Sequence, residues 1–512
     1  MSGSSPTPNL DEGIKLKKVK MFDCTSQVPD LPDCVLSYIF TKLSIKDLLK
    51  TSILSKRWRN LWTLRRDLYF DVFNVLENTE EELIQKGYLI DVPFPTIYGS
   101  AMERTLNWDT SDLFVKRVDQ FLKHSNATTI DSFLVNFYLG SQQQSTIDEW
   151  ISFLIKRGIQ RIDLLFSVTS LPYTLSTYLR RPCQFPLHLF SETTASTLKH
   201  LRLEYCLLFH PTNYDFTSFK NLSFLSLKTL RADASFIESL LSNCKQLEEL
   251  HLIECDFESP ILKIVSSSLC HLKVSCFFRY SILGKDVSLT LLDCLKLTSL
   301  EYRRQRGDRL GNMNFNTPML NNVQLAVIYS GEHVDAFRLL ATLPKLEILQ
   351  LDFYSTVPTF VKITQRLEHL KELNLILHRP FDTPQKLDFD LSGILTILQA
   401  CPLLQELSVM LTYPETMENQ QVASDVEVFS HDEVKVIELR GCVGNWYEIE
   451  FAMNVIKYAN KLERIVLSPY WRDIVESLDW SSDLAWFQNG RQRITEKFQS
   501  EELVGREKVV LI

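Results

Sequence analysis

The chain has 512 residues, a formal net charge of −8, 45% hydrophobic and 23% charged residues. That length exceeds one ordinary core and predicts roughly two to four domains or one long repeat array. The acidic balance argues against a polyanion as main ligand, because such affinity comes from neutralised phosphates. No apolar run of about 18 residues is present, so no membrane-spanning helix is expected.

Residues 1–26 read as a disordered tail. They hold a short basic group, Lys17, Lys18 and Lys20, and lack the apolar core and cleavage site of a secretory leader. A soluble chain of the cytoplasm and/or nucleus is expected.

Residues 27–66 predict three short helices. Pro32 suits a first helical turn, where a missing N–H costs nothing; Leu36, Ile39, Phe40 and Leu43 follow on one face. Ser44 then caps a second helix, with Asp47 three residues on. Leu48, Leu49 and Ile53 form its apolar side. The third helix carries "SILSKRWRNLW". At about 100° per residue, Trp58, Leu61 and Trp62 fall largely apart from Lys56, Arg57 and Arg59. The tryptophans are therefore expected to be buried and the basic side exposed. Between Lys46 and Arg66 there are seven basic residues and one acidic one. The local field is positive in an acidic chain, which suits an acidic protein surface, a phosphate backbone or anionic lipid.

Residues 67–129 read as a linker and N-terminal cap. From 130 to 433 one pattern dominates: apolar, two residues, apolar, one residue, apolar. It reads "LKHLRL" at Leu198, "LSFLSL" at Leu222, "LEELHL" at Leu247 and "LCHLKV" at Leu269, and recurs at Leu297, Leu320, Leu346, Leu370, Leu404 and Leu462. Weaker copies start at Ile130, Ile159 and Val434. From Leu198 to Leu370 the steps are 22 to 28 residues, the period of a leucine-rich repeat. "ASFIESLLSNC" and "LSGILTILQAC" have helical spacing between copies. The expected fold is α/β: a right-handed solenoid with parallel strands inside and helices outside. Residues 434–512 read as strand, helix and last strand. Ile449, Ala452, Val455, Ile456 and Ala459 line the helix, and Trp471, Trp480 and Trp486 cap the open end.

The chain has eleven cysteines, and no Cys-x-x-Cys or zinc-like spacing. Cys244, Cys294 and Cys401 each precede a repeat's first leucine by three residues. Cys206, Cys255 and Cys442 each follow its first apolar residue by eight. All six are expected to be small buried side chains.

"LPDCVLSYIFTKLSIKDLLKTSILSKRWRNLW" resembles an F-box of the version typical of plant proteins. Leu31-Pro32, Leu36, the "LSIKD" turn, "TSILSKRW" and Trp62 carry the match. "VKVIELRGCVGNWYEIEFAMNVIKYANKLERIVLSP" resembles the FBD region that accompanies F-boxes and leucine-rich repeats in plants. The resemblance implies the substrate-recognition adaptor of a Skp-cullin-F-box ubiquitin ligase, itself non-catalytic. Leu31, Pro32, Leu36, Ile39, Leu43, Leu48, Ser52, Ser55, Trp58 and Trp62 would dock on a Skp-type linker protein and through it a cullin. The repeats would hold a target protein.

Two strand rows on the concave wall are the candidate target site. One reads Arg202, Ser226, His251, Lys273, Glu301, Gln324, Gln350, Asn374 and Ser408. The other reads His200, Phe224, Glu249, His271, Ser299, Asn322, Ile348, Glu372 and Glu406. Their mixed signs suit a protein segment held by hydrogen bonds and a few apolar contacts. Nucleic acid and membrane are not expected partners. "EYRRQRGDR", with Arg303, Arg304, Arg306 and Arg309, reads as a loop at the rim. No Gly-rich phosphate loop, zinc motif or nucleophile elbow occurs, so no enzyme and no cofactor are expected. Two alternatives stay open: a scaffold that binds nucleic acid or anionic lipid through Lys46–Arg66, and a ligand-dependent receptor of the hormone-receptor type.

Overall fold

The computed structural model describes residues 32, 35, 38–40 and 42–51. From residue 65 onward it describes all but 77–78, 97–98, 107–109, 126, 167–180, 209–215, 230, 233, 258–260, 276–287, 304–312, 330–332, 355–364, 379–390, 417–429, 473–479 and 501–503. In chain order the main elements are α1 (Ile45–Thr51), β1 (Asp67–Asp71), α2 (Thr110–His124), β2 (Ser132–Asn136), α3 (Gln144–Ile155), β3 (Arg161–Leu165), β4 (His200–Glu204) and β5 (Phe224–Lys228). There follow α4 (Ala234–Asn243), β6 (Glu249–Ile253), β7 (His271–Ser275), β8 (Ser299–Arg303), β9 (Asn322–Tyr329), α5 (His333–Leu340), β10 (Ile348–Tyr354) and β11 (Glu372–His378). The last are α6 (Ser392–Ala400), β12 (Glu406–Thr412), β13 (Val436–Arg440), α7 (Trp446–Tyr458), β14 (Arg464–Ser468), α8 (Arg491–Ser500) and β15 (Val509–Leu511).

β1 to β15 form one 15-stranded sheet in sequence order, each strand parallel to the next. This is a leucine-rich-repeat solenoid. All thirteen copies of the apolar pattern become strands, each starting two residues after the first apolar position. The reason is burial on one face. Leu198, Leu201 and Leu203 are at most 4% exposed, and Leu247, Leu250 and Leu252 at most 1%. Each such side chain contributes about 1.5–3 kcal/mol, and the residues between them point the other way.

The chain leaves several strands through one left-handed residue. Tyr205, Thr229, Glu254 and Tyr413 have φ between 50° and 57°, and Gly441 has φ 75°. Cys206, Cys255 and Cys442 come next and are buried as expected. Their thiols point at backbone oxygens: Cys255 Sγ lies 3.3 Å from Leu227 O and Cys442 Sγ 3.3 Å from Leu439 O. Cys244, Cys294 and Cys401 are buried too.

The structure differs from expectation in three places. Residues 67–71, expected within a linker and N-terminal cap, are the first strand of the sheet; Arg65 stands where later repeats have their first leucine, and it is 5% exposed. The outer wall is not helical throughout: residues 261–266, 288–294 and 314–316 form a three-stranded parallel sheet there. Finally, β14 is not the last strand, because β15 pairs beyond it. Trp486 is 1% exposed and covers that end, whereas Trp480 is 50% exposed and Trp471 half-buried against Tyr413.

In the C-terminal region Ile449, Ala452, Val455, Ile456 and Ala459 are buried as expected. Glu448, also buried, takes N–H groups from Val443, Gly444 and Asn445 at the start of α7. Burial pushes its carboxyl up to about 7, although those N–H groups and Arg493 pull the other way.

Candidate functional site

The first candidate surface is the N-terminal docking segment. Ser44 caps α1 as predicted: Asp47 N donates to Ser44 Oγ at 3.1 Å, and the hydroxyl donates to Asp47 Oδ2 at 2.8 Å. Phe40, Ile45 and Leu48 are buried in a core that continues through Leu68 and Phe70 of β1. Leu48 was expected to touch a partner; at 0% exposure it holds the segment to its own chain instead. Leu43 and Ile39 are half-buried, the former packed against that core, and Pro32 is exposed. Leu31, Leu36, Ser52, Ser55, Trp58 and Trp62 lie outside the described residues. Val35 and Tyr38 add exposed apolar area that sequence reasoning missed, being 39% and 64% exposed, with Lys42 5.3 Å from the Tyr38 ring centre.

Arg65 joins this segment to the sheet. Its Nε donates to Asp67 O at 2.6 Å and its Nη1 to Leu43 O at 3.4 Å. Burial lowers its pKa, with Asp67 opposing. Nearby, Lys50 pairs with Asp47 at 2.8 Å and Arg66 with Asp131 at 2.6 Å. Three of the seven basic residues between Lys46 and Arg66 are thus occupied within the chain, which reduces the charge available to a polyanion.

The second surface is the concave face of the sheet. Register places Asp163, Arg202, Ser226, His251, Lys273, Glu301, Gln324, Gln350, Asn374 and Ser408 in one row. His200, Phe224, Glu249 and His271 fall in the neighbouring row. The expected target-site residues therefore do share a face. Arg202 donates to Glu204 at 2.6 Å, His251 lies 2.9 Å from Glu249, and Lys273 pairs with Glu301. Burial lowers the His251 pKa, the charge of Glu249 opposing. Phe224 stacks on His200, ring centres 4.0 Å apart and planes 2° apart.

A third row, one position past the last apolar residue, escaped sequence reasoning except for Arg303, which was expected in a rim loop and instead ends β8. The row holds Glu204, Lys228, Arg303 and Asp352; Glu204 and Asp352 are each 1% exposed. Gln350 donates to Asp352 at 3.1 Å, and Arg303 lies 4.0 Å from it. Arg304, Arg306 and Arg309 lie outside the described residues. Asp163 is similarly sealed: Arg161 Nε donates to it at 2.6 Å, and His200 Nε2 is 3.1 Å away. Burial alone would raise the Asp163 pKa; the hydrogen bonds and charges of His200 and Arg161 outweigh it and hold it below the usual value.

Among the described residues no group of three or more His, Cys, Asp or Glu is arranged to hold a metal, and no helix is long and apolar enough to cross a membrane. His200 and His271 share a row and His251 lies in another, as expected.

Residues 122–496 match the family model described as At1g61320/AtMIF1, LRR domain, and residues 28–68 match the F-box domain. The chain is 24% identical over 466 residues to F-box/LRR-repeat protein 13 of Arabidopsis thaliana, covering 88% of this chain and 91% of that protein. It is 24% identical over 467 residues to an FBD-associated F-box protein of Arabidopsis thaliana, covering 86% and 87%. A third relative from the same plant, an F-box/FBD/LRR-repeat protein, is 27% identical over 253 residues, 49% of each chain.

Proposed function

The chain belongs to the plant F-box/leucine-rich-repeat proteins with an FBD-like C-terminal region, and on that premise we propose the particulars of its role as an adaptor of a Skp-cullin-F-box ubiquitin ligase. The segment 28–68 docks on a Skp-type linker protein, and through it on a cullin. The concave face binds a target protein. The chain performs no chemistry itself; it raises the target's effective concentration at a ubiquitin-loaded enzyme.

One observation carries this reading. The docking segment and the first rungs of the ladder share one core, through Phe40, Ile45, Leu48 and Leu68, while Pro32, Val35 and Tyr38 remain exposed. A core shared in this way supports two interfaces held in a fixed relation.

The test is co-purification with a Skp-type protein, for the chain and for Pro32→Ala with Leu36→Asp. The expected result is loss of binding with the circular-dichroism melting curve of the solenoid unchanged. Binding that survives sinks the interface assignment. Binding whose affinity falls steeply with salt would instead favour a polyanion at Lys46–Arg66.

A further inference from the structure

The concave face is not uniform in charge. On β3, β4 and β5 three fixed cations, Arg161, Arg202 and Lys228, surround two carboxylates, Asp163 and Glu204. Each carboxylate is 1% exposed, whereas the arginine side chains are 49% and 41% exposed and Lys228 is 25% exposed. Solvent therefore meets the cations and not the acids.

The buried acids also fix where those cations stand. A guanidinium carries five N–H donors in a planar fork. Arg161 gives Nε and Nη2 to Asp163, and Arg202 gives Nη2 to Glu204. Nη1 of Arg161, and Nε and Nη1 of Arg202, have no protein acceptor among the described residues. Two forks are thus oriented in advance, on adjacent strands where Asp163 is in register with Arg202. The flat His200–Phe224 stack lies beside them. The acids flanking them on the same face are occupied: Asp67, two strands from Arg161 in its row, accepts from Ser132 at 2.6 Å, Glu249 lies against His251, and Glu254 accepts from Thr229 at 3.0 Å. Eight strands on, at β11 and β12, the face changes sign. Glu372 and Glu406 are exposed there with no ion-pair partner among the described residues.

We propose that Arg161 and Arg202, beside the His200–Phe224 stack, form the seat for an oxyanion of the target segment, the carboxylate or phosphate of an acidic side chain next to an apolar one. This deepens the reading of the concave face as the target site. Preorganised guanidinium forks recognise carboxylate and phosphate alike, and charge complementarity selects an acidic segment over a basic one.

The test uses the full chain and arrays of randomised peptides whose central residue is fixed as Glu, phosphoserine, Gln or Lys. Capture is expected to favour Glu or phosphoserine over Gln by at least about tenfold, the strength of one charge-assisted contact; which of the two leads tells the source of the oxyanion. Arg161→Lys with Arg202→Lys keeps a charge over each buried acid but removes the fork, and should erase most of that preference. Should it fail to fold, R161Q/D163N with R202Q/E204Q removes each buried charge together with its partner and is expected to erase the preference too. Equal capture of Glu, phosphoserine and Gln, or an acidic preference that survives the folded variant, overturns the proposal. Binding of a Skp-type protein is measured on the same preparations, so failure of the adaptor reading is seen separately.

Discussion

Gly444 and Gly490 meet backbone against backbone. A Cβ on Gly444 would lie 2.5 Å from Gly490 Cα, and one on Gly490 would lie 2.4 Å from Val443 O. The contact locks the turn before α7 to the π turn Trp486–Gly490 that brings Trp486 over the end of the core. Gly444 also has φ 84°, where a side chain is strained. Gly444→Ala should therefore cost more than Gly490→Ala, with both in the range of about 1–4 kcal/mol from overpacking and backbone strain. Urea denaturation monitored by tryptophan fluorescence checks the order; equal and negligible losses would contradict the contact.

Glu448 gives the same region a pH dependence. Its folded pKa, raised to about 7 by burial, stands above the ordinary glutamate value of about 4.3. Between those values the folded chain holds a proton that the unfolded chain has released, so stability falls as pH rises. The contribution is complete near pH 4 and gone above about pH 7. Glu448→Gln should flatten this part of the profile, seen as the difference between variant and parent melting temperatures from pH 4.5 to pH 7.5. An unchanged difference across that window counts against a protonated Glu448.

Arg65 separates the two roles of its neighbourhood. Arg65→Leu restores the residue type that other repeats have at this position, so β1 should stay paired with β2. It removes the bond to Leu43 O, so α1 should loosen from the sheet. Hydrogen exchange of residues 42–51 should quicken several-fold while that of 67–71 does not. Equal quickening in both segments would mean that Arg65 holds the strand as much as the joint, and would overturn its role as a link between them.

The cysteines should divide by position. Burial pushes Cys244, Cys294 and Cys401 up to about 12, and Cys206 and Cys442 well above their usual value. With almost no thiolate and no access, all five should resist iodoacetamide at pH 8 in the native chain. Cys270, half-buried, should react before them. Mass spectrometry of the labelled peptides decides it, and early labelling of Cys401 or Cys442 would contradict the packing.

Legibility in the sequence follows the apolar side of the sheet. The thirteen strands β2 to β14 could be read because three buried apolar residues recur at fixed spacing. β1 and β15 could not, because Arg65 and Arg506 stand at the first position of each hexad. The outer strands at 261–266 and 288–294 do have boundary signals, Ser259-Pro260 and Ser266–Ser268 around the first and Gly284 before the second, but the helical spacing of the returns in other repeats outweighed them. The concave rows were legible as positions, since alternation dictates which residues face away from the leucines. Their chemistry was not. Nothing in the spacing of Arg161 and Asp163 says that the acid is sealed and the guanidinium half-exposed; that depends on the depth of the wall at each rung. Glu204 and Asp352 were overlooked because they follow the last apolar residue, where a strand is expected to end.

The core that runs unbroken from Phe40 and Leu48 into Phe70 and Phe133 has a consequence for choosing among lysines. An adaptor with a slack neck would let a captured protein tumble, and any accessible lysine would serve in turn. On the proposed reading, a neck welded by packed side chains would act as a caliper, holding a captured target at one stand-off and one tilt. Lysines that fall within the arc swept by the ubiquitin-charged enzyme should be modified repeatedly, and those outside it spared. Loosening the Arg65 joint should blur that pattern without weakening capture.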